Sequence, residues 1–250
     1  MSRRAPTAPP PPITVDLMLR AYAAGLFPMA EGRASNRVFW LDPERRGVLP
    51  LDGFHLPRRL MRTALSGRFE VTADRAFAEV IAGCAERAPG REDSWINPQI
   101  EGLFNELHAL GFAHSVEAWR DGRLVGGLYG VRLAGAFFGE SMFSRETDAS
   151  KVALANLVVR LRRGGFALLD TQFLTSHLAR FGAVEVPQAT YKARLAEALG
   201  VPARWERDLP PEDLEAGLRE LRRLSASSGE DDPAPSDLSP PAAPRSRAAR

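Results

Sequence analysis

Apolar and polar positions alternate most clearly in the middle of the chain. Residues 114–119 read as a strand, Asp121-Gly122 as a two-residue hairpin turn, and 124–133 as the return strand. Ala134-Gly135 then turns the chain into a third strand over 136–139, which completes an antiparallel meander. Before the meander, a strand is expected over 69–72. A helix follows over 74–84 with Phe77, Val80 and Ile81 on one face, then a loop carrying Pro89 and Gly90, and a helix over 98–109. After the meander, Val152, Leu154, Ala155, Val158, Val159 and Leu161 recur at helical spacing over 149–163. Gly164-Gly165 ends that helix, 166–170 is a strand and 176–181 a short helix.

The front of the chain is less regular. Thr14 caps a helix over 15–24 that stops at Gly25, and Leu26-Phe27-Pro28 reads as a loop. Val38-Phe39-Trp40 is a short strand, Asp42-Pro43-Glu44-Arg45 a turn, and a helix starts near Pro57 and runs to Ala64. Helices and strands in this order predict an α+β fold around one mostly antiparallel sheet. Residues 1–12, with Pro9 to Pro12, and 225–250, rich in Ser, Pro, Ala and charge, bury no apolar face and are expected to be disordered. Between them, 13–73 is expected to form a small N-terminal domain and 74–224 the main one.

Composition narrows the classes. With 44% hydrophobic residues in 250 and no apolar run of the roughly 20 residues a span requires, no membrane segment is expected. One cysteine and four scattered histidines supply neither a disulfide nor zinc spacing, so neither a metal nor any other cofactor is expected, and a reducing cytoplasm fits. A net charge of +2 leaves nucleic-acid affinity to local clusters.

Two segments set a carboxylate among small or apolar neighbours: Phe138-Gly139-Glu140-Ser141-Met142-Phe143-Ser144-Arg145 and Leu169-Asp170-Thr171-Gln172-Phe173. A carboxylate there is costly unless it is paired or has a chemical task, although a strand end or helix cap would account for it too. These segments, with Trp95-Ile96, residues 114–119 and 124–130, and Ala149-Ser150-Lys151, resemble the leucyl/phenylalanyl-tRNA–protein transferase family. The similarity runs in order from about Ala21 to Ala196.

The resemblance implies a C-terminal domain of the acetyltransferase-like (GNAT) type and a small N-terminal domain. It further implies transfer of Leu or Phe, with Met as a further substrate, from aminoacyl-tRNA to proteins beginning with Arg or Lys, marking them for N-end-rule degradation by a monomeric enzyme. Asp170 and Gln172 carry over as reaction-centre residues, and strand periodicity puts them on one face. Glu140 carries over as a pocket residue holding either the aminoacyl α-ammonium or the cationic acceptor. The apolar pocket matches Trp95, Leu128, Phe137, Leu154, Leu157 and Leu169, positions that plain core packing would equally fill.

Arg58, Arg59 and Arg62 place charges at i, i+1 and i+4 for tRNA phosphates, as a solvated basic face also would. Leu65 and Ser66 stand where the family often has further basic residues, and Met29 replaces an aromatic seen in some members. Two alternatives are an acyl-CoA acetyltransferase and a non-catalytic RNA-binding module. The first requires a Gly-rich loop before the long helix, where residues 144–149 hold no glycine and two acids.

Overall fold

The computed structural model describes residues 13–87 and 92–227. The Pro-rich start, the loop at Pro89-Gly90 and the tail beyond 227 lie outside the described residues. The elements run α1 (Val15–Ala23), β1 (Phe27–Ala30), β2 (Val38–Leu41), β3 (Arg45–Val48), α2 (Arg58–Leu65), β4 (Glu70–Ala73), α3 (Phe77–Ala85) and α4 (Pro98–Ala109). They continue β5 (Ala113–Arg120), β6 (Arg123–Leu133), β7 (Ala136–Ser144), α5 (Ala149–Arg163), β8 (Leu168–Gln172), α6 (Ser176–Ala179), β9 (Val184–Pro187), α7 (Gln188–Leu199) and α8 (Pro211–Ser227). The fold is α+β, with β1 and β2 a separate antiparallel pair and the other seven strands in one sheet, in the order β4-β5-β6-β7-β8-β3-β9.

Local signals explain most boundaries. The Thr14 hydroxyl accepts the Leu17 N–H at 3.2 Å, and the Asn97 side chain accepts from Ile100 at 2.8 Å ahead of Pro98. Asp121 and Gly122 both take positive φ in the β5–β6 turn. Other elements depart from expectation. Phe27–Ala30 pairs with β2 rather than looping, and Pro28 is tolerated because a two-stranded ribbon leaves each strand a free edge. Arg45–Val48 continues past the expected turn as a strand between β8 and β9. No apolar alternation announces it, because its four residues include two arginines and a glycine. The sheet therefore draws β3 and β4 from the region before residue 74.

Every neighbouring pair in the sheet is antiparallel except β7–β8, which α5 connects as a crossover. Gly126 on β6 lets α5 start close to the sheet: a Cβ there would stand 2.6 Å from that of Ala149. Two apolar clusters cover the two faces. One packs α1, α3, α4 and α7 around Tyr22, Phe104 and Phe138; the other packs α2, α5 and α8 around Phe54, Leu154 and Phe137. The parallel ladder is short. Residues 136–138 of β7 pair with 168–170 of β8, and beyond Phe138 no residue of β7 pairs with β8. The sheet opens there.

Helix α8 extends beyond the expected start of the tail, and Ser225 is buried in it. Its hydroxyl accepts the Leu56 N–H at 2.8 Å and lies 2.8 Å from the Leu221 carbonyl. Ser225→Ala should leave that amide without its partner and lower the unfolding free energy by about 1–3 kcal/mol. Urea denaturation measures this, and an unchanged midpoint would show that α8 does not dock at Leu56.

Candidate active site

A cavity of about 310 Å³ occupies the gap between β7 and β8. One side is apolar, formed by Leu128, Met142, Leu154, Leu157 and Leu169; Glu140, Thr171 and Gln172 add polar groups, and Phe27, Trp95 and Phe173 add aromatic ones. Leu154 and Leu157 come from successive turns of α5, so the crossover helix is also the pocket wall.

Glu140 follows Phe138 by two positions in β7 and shares its face of the sheet: Tyr22 packs on the Phe138 ring at 4.8 Å and donates its hydroxyl to Glu140 Oε1 at 2.8 Å. The Gln172 amide reaches the same oxygen at 3.3 Å. Burial raises the Glu140 carboxyl to about 8, helped by the charge of Asp170 and opposed by the Tyr22 bond and the charge of Arg46. Burial, then the neighbouring Glu140, holds the Tyr22 phenol well above its usual range.

Asp170 is arranged oppositely. It is fully buried, and Arg46, also buried, grips it through Nε to Oδ1 at 2.9 Å and Nη2 to Oδ2 at 2.7 Å. Tyr191 donates to Oδ2 at 2.7 Å and the Gln172 backbone N–H to Oδ1 at 2.8 Å. Burial pulls the Arg46 guanidinium down, but bonding to Asp170 and its charge more than reverse this. The guanidinium lies 4.5 Å from the ring centroids of both Phe27 and Tyr191, and its Nη1 donates to the Gly25 carbonyl at 2.9 Å. Burial and the charge of Asp170 push the Tyr191 phenol far up. Both oxygens of Asp170 are engaged, it is absent from the cavity lining, and one of its bonds holds the Gln172 backbone. Gln172 itself sits at φ 56°, a left-handed conformation that the Asp170 bond supports.

Of the expected pocket residues, Trp95, Leu128, Leu154, Leu157 and Leu169 border the cavity. Phe137 does not. It lies beside Leu169 in the paired part of the ladder, where its ring stacks on Trp205 at 5.6 Å and meets Phe166 edge-on at 6.2 Å. Phe137 falls outside the lining because β7 separates from β8 only after Phe138, which leaves its ring in closed core. Arg58, Arg59 and Arg62 lie exposed on α2, outside the cavity lining.

Sequence reasoning missed Arg46, Tyr191, Met142, Phe173, His177 and Tyr22. Periodicity could not have found Met142: the pairing of β6 with β7 skips Glu140, which puts Met142 opposite Leu128 on the other face of the sheet from Phe138. Only the pairing of β3 with β8 shows that Arg46 meets Asp170 across 124 positions.

A family model described as leucyl/phenylalanyl-tRNA protein transferase matches residues 48–196, and the model of that family's N-terminal domain matches 12–44. The chain belongs to the leucyl/phenylalanyl-tRNA–protein transferase family. It is 59% identical over 197 residues to the leucyl/phenylalanyl-tRNA–protein transferase of Paramagnetospirillum magneticum, a match covering 79% of this chain and 94% of that protein. The protein of the same name from Rhizorhabdus wittichii is 62% identical over 191 residues, covering 76% of this chain and 77% of the relative. For that of Phenylobacterium zucineum the identity is 61% over 186 residues, covering 74% and 84%. The two family models meet the site from both sides: Glu140, Asp170, Gln172 and Tyr191 fall in the longer match and Tyr22 in the shorter, while Arg46 lies between them.

Arg46→Leu should destabilise the protein by about 3–5 kcal/mol, because Asp170 would be left charged and unpaired in the interior. Thermal and urea unfolding measure the loss. A cost near zero would mean that water reaches Asp170. Glu140 makes a separate, pH-dependent contribution. Folded, it keeps its proton up to about pH 8, whereas its ordinary value is 4.5. The folded state thus binds more protons between these values, and the stability this group confers is full below about pH 4.5 and is lost as pH rises towards 8. Glu140→Gln should remove this component of the decline. Urea midpoints at pH 5 and pH 8 compare the two proteins, and an equal fall in both would show Glu140 already ionised in the fold.

Proposed function

We propose that this aminoacyltransferase takes Leu or Phe, and also Met, from aminoacyl-tRNA and joins it to proteins beginning with Arg or Lys. The observation that carries the reading is an apolar cavity whose polar groups include a carboxylate and a carboxamide. The aminoacyl side chain enters between Leu128, Met142, Leu154, Leu157 and Leu169. Its α-ammonium meets Glu140. That carboxyl is neutral when the cavity is empty at pH 7, and an arriving cation favours its ionised form, so binding and ionisation are coupled.

The acceptor α-amine attacks the ester carbonyl, the tetrahedral intermediate collapses, and the ribose 3′ oxygen leaves with a proton. An ester is already activated, which leaves positioning and charge stabilisation to the protein. The Gln172 carboxamide is a very weak base and suits orientation of the amine or the oxyanion. Asp170 fixes the Gln172 backbone from behind. Two parallel strands that separate around a cavity support kinship with acetyltransferase-like folds, with 74–224 as the catalytic unit. Acceptors with cationic N-termini fit a role in N-end-rule degradation in the cytoplasm.

Transfer of labelled Leu, Phe or Ile from its tRNA to a peptide beginning with Arg tests the reading; no transfer by the wild type would end it. Leu157→Ala should lower kcat/KM for Leu roughly tenfold or more and narrow the preference over Ile, because it enlarges the wall of the pocket. Phe137→Ala should destabilise the protein yet leave the order of amino acids unchanged. If the order shifts only in the Phe137 variant, the cavity is not the aminoacyl site.

A further inference from the structure

Helix α5, which walls the cavity, also carries a cation: Lys151 lies one helical turn before Leu154. His177 lines the cavity from α6, and Arg180 follows it by three residues at the end of that helix. Both cations act on His177: after burial, the charges of Lys151 and Arg180 hold its imidazole below the ordinary value and hence neutral at pH 7. Arg180 is exposed and has no ion pair among the described residues.

These charges continue onto α2. Asp148 accepts Lys151 Nζ at 2.8 Å and faces Arg59 Nη2 at 3.8 Å, so one carboxylate links the rim to the basic helix. Arg58 and Arg62 project from the same helix, exposed and without an ion pair among the described residues. Five cations thus extend outwards from the cavity mouth, with Asp148 the one acid paired to any of them among the described residues.

Resting on the reading of the cavity as the aminoacyl site, we infer that Lys151 and Arg180 grip the phosphates of the single-stranded 3′ end that carries the amino acid. An ester held over Gln172 leaves its terminal nucleoside at the mouth, and the next phosphates follow within one or two nucleotide lengths. Cations at the rim meet the phosphates nearest the ester, whereas α2 meets those further along. A single strand is held by backbone charge without sequence readout, as suits tRNAs for different amino acids.

Three substrates separate the parts: Leu-tRNA, the leucylated trinucleotide CpCpA, and 3′-leucyl-adenosine, which has no phosphate. Lys151→Ala with Arg180→Ala should raise KM on the order of tenfold for the trinucleotide and for tRNA, and leave that for leucyl-adenosine unchanged. The log–log salt slope of trinucleotide affinity should fall by about 0.7 per lost contact. Arg58→Ala with Arg62→Ala should affect only tRNA. Since removing Lys151 unburdens Asp148 of its partner, Lys151→Arg and Arg180→Glu serve as companions: the first should retain affinity, the second should lose it without a change in melting temperature.

Equal losses on leucyl-adenosine and the trinucleotide, or an unchanged salt slope, would overturn the assignment of Lys151 and Arg180. A wild type that transfers leucine from none of the three would instead refute the proposed function.

Discussion

Burying a guanidinium and a carboxylate together costs several kcal/mol of desolvation per ion, which only good geometry and further hydrogen bonds offset. Arg46 and Asp170 have both. Through them, and the two rings on either side of the guanidinium, β3, β8, the end of α1, β1 and α7 are held to one another. Such a pair contributes less to net stability than to specifying one arrangement, since a register slip of β3 against β8 would strand both charges in the interior. That is why a strand of four residues can stay fixed between β8 and β9.

The same pair shapes one edge of the cavity without lining it. Asp170 uses one oxygen to hold the Gln172 amide N–H, and Gln172 is thereby kept in a backbone conformation that costs a non-glycine residue roughly 1–3 kcal/mol. Glu140 is close enough to feel the charges of Asp170 and Arg46, but its own bonds come from a phenol and a carboxamide. Two carboxylates on one face of the sheet therefore differ in their partners: Asp170 is held by a guanidinium, whereas Glu140 has no cation bonded to it among the described residues.

What could be read from the sequence was local. The Asp121-Gly122 turn and the alternation of β5 and β6 gave the meander, though its third strand runs to Ser144 instead of ending at 139, and the apolar spacing ended by Gly164-Gly165 gave the limits of α5. Glu140, Gln172 and the leucines of the pocket followed from resemblance, and they meet at one cavity. Elements defined by distant partners were illegible. Arg45–Val48 reads as a charged turn until β8 and β9 flank it, and Phe137 differs from a pocket residue only by where two strands part. Helices α7 and α8 bury few residues each, such as Tyr191, Leu195, Leu218 and Leu221, amid exposed charge, which dilutes their periodicity.

Helix α5 both lines the cavity and carries a cation near its start. With 33 basic and 31 acidic residues the chain has little overall attraction for a polyanion, so charge must be placed where the substrate already lies. The helix that presents Leu154 and Leu157 to the cavity also carries Lys151 one turn earlier. Gly126 fixes how closely the start of that helix approaches β6. Any substitution that moves α5 outwards would therefore shift the leucines of the cavity and Lys151 together.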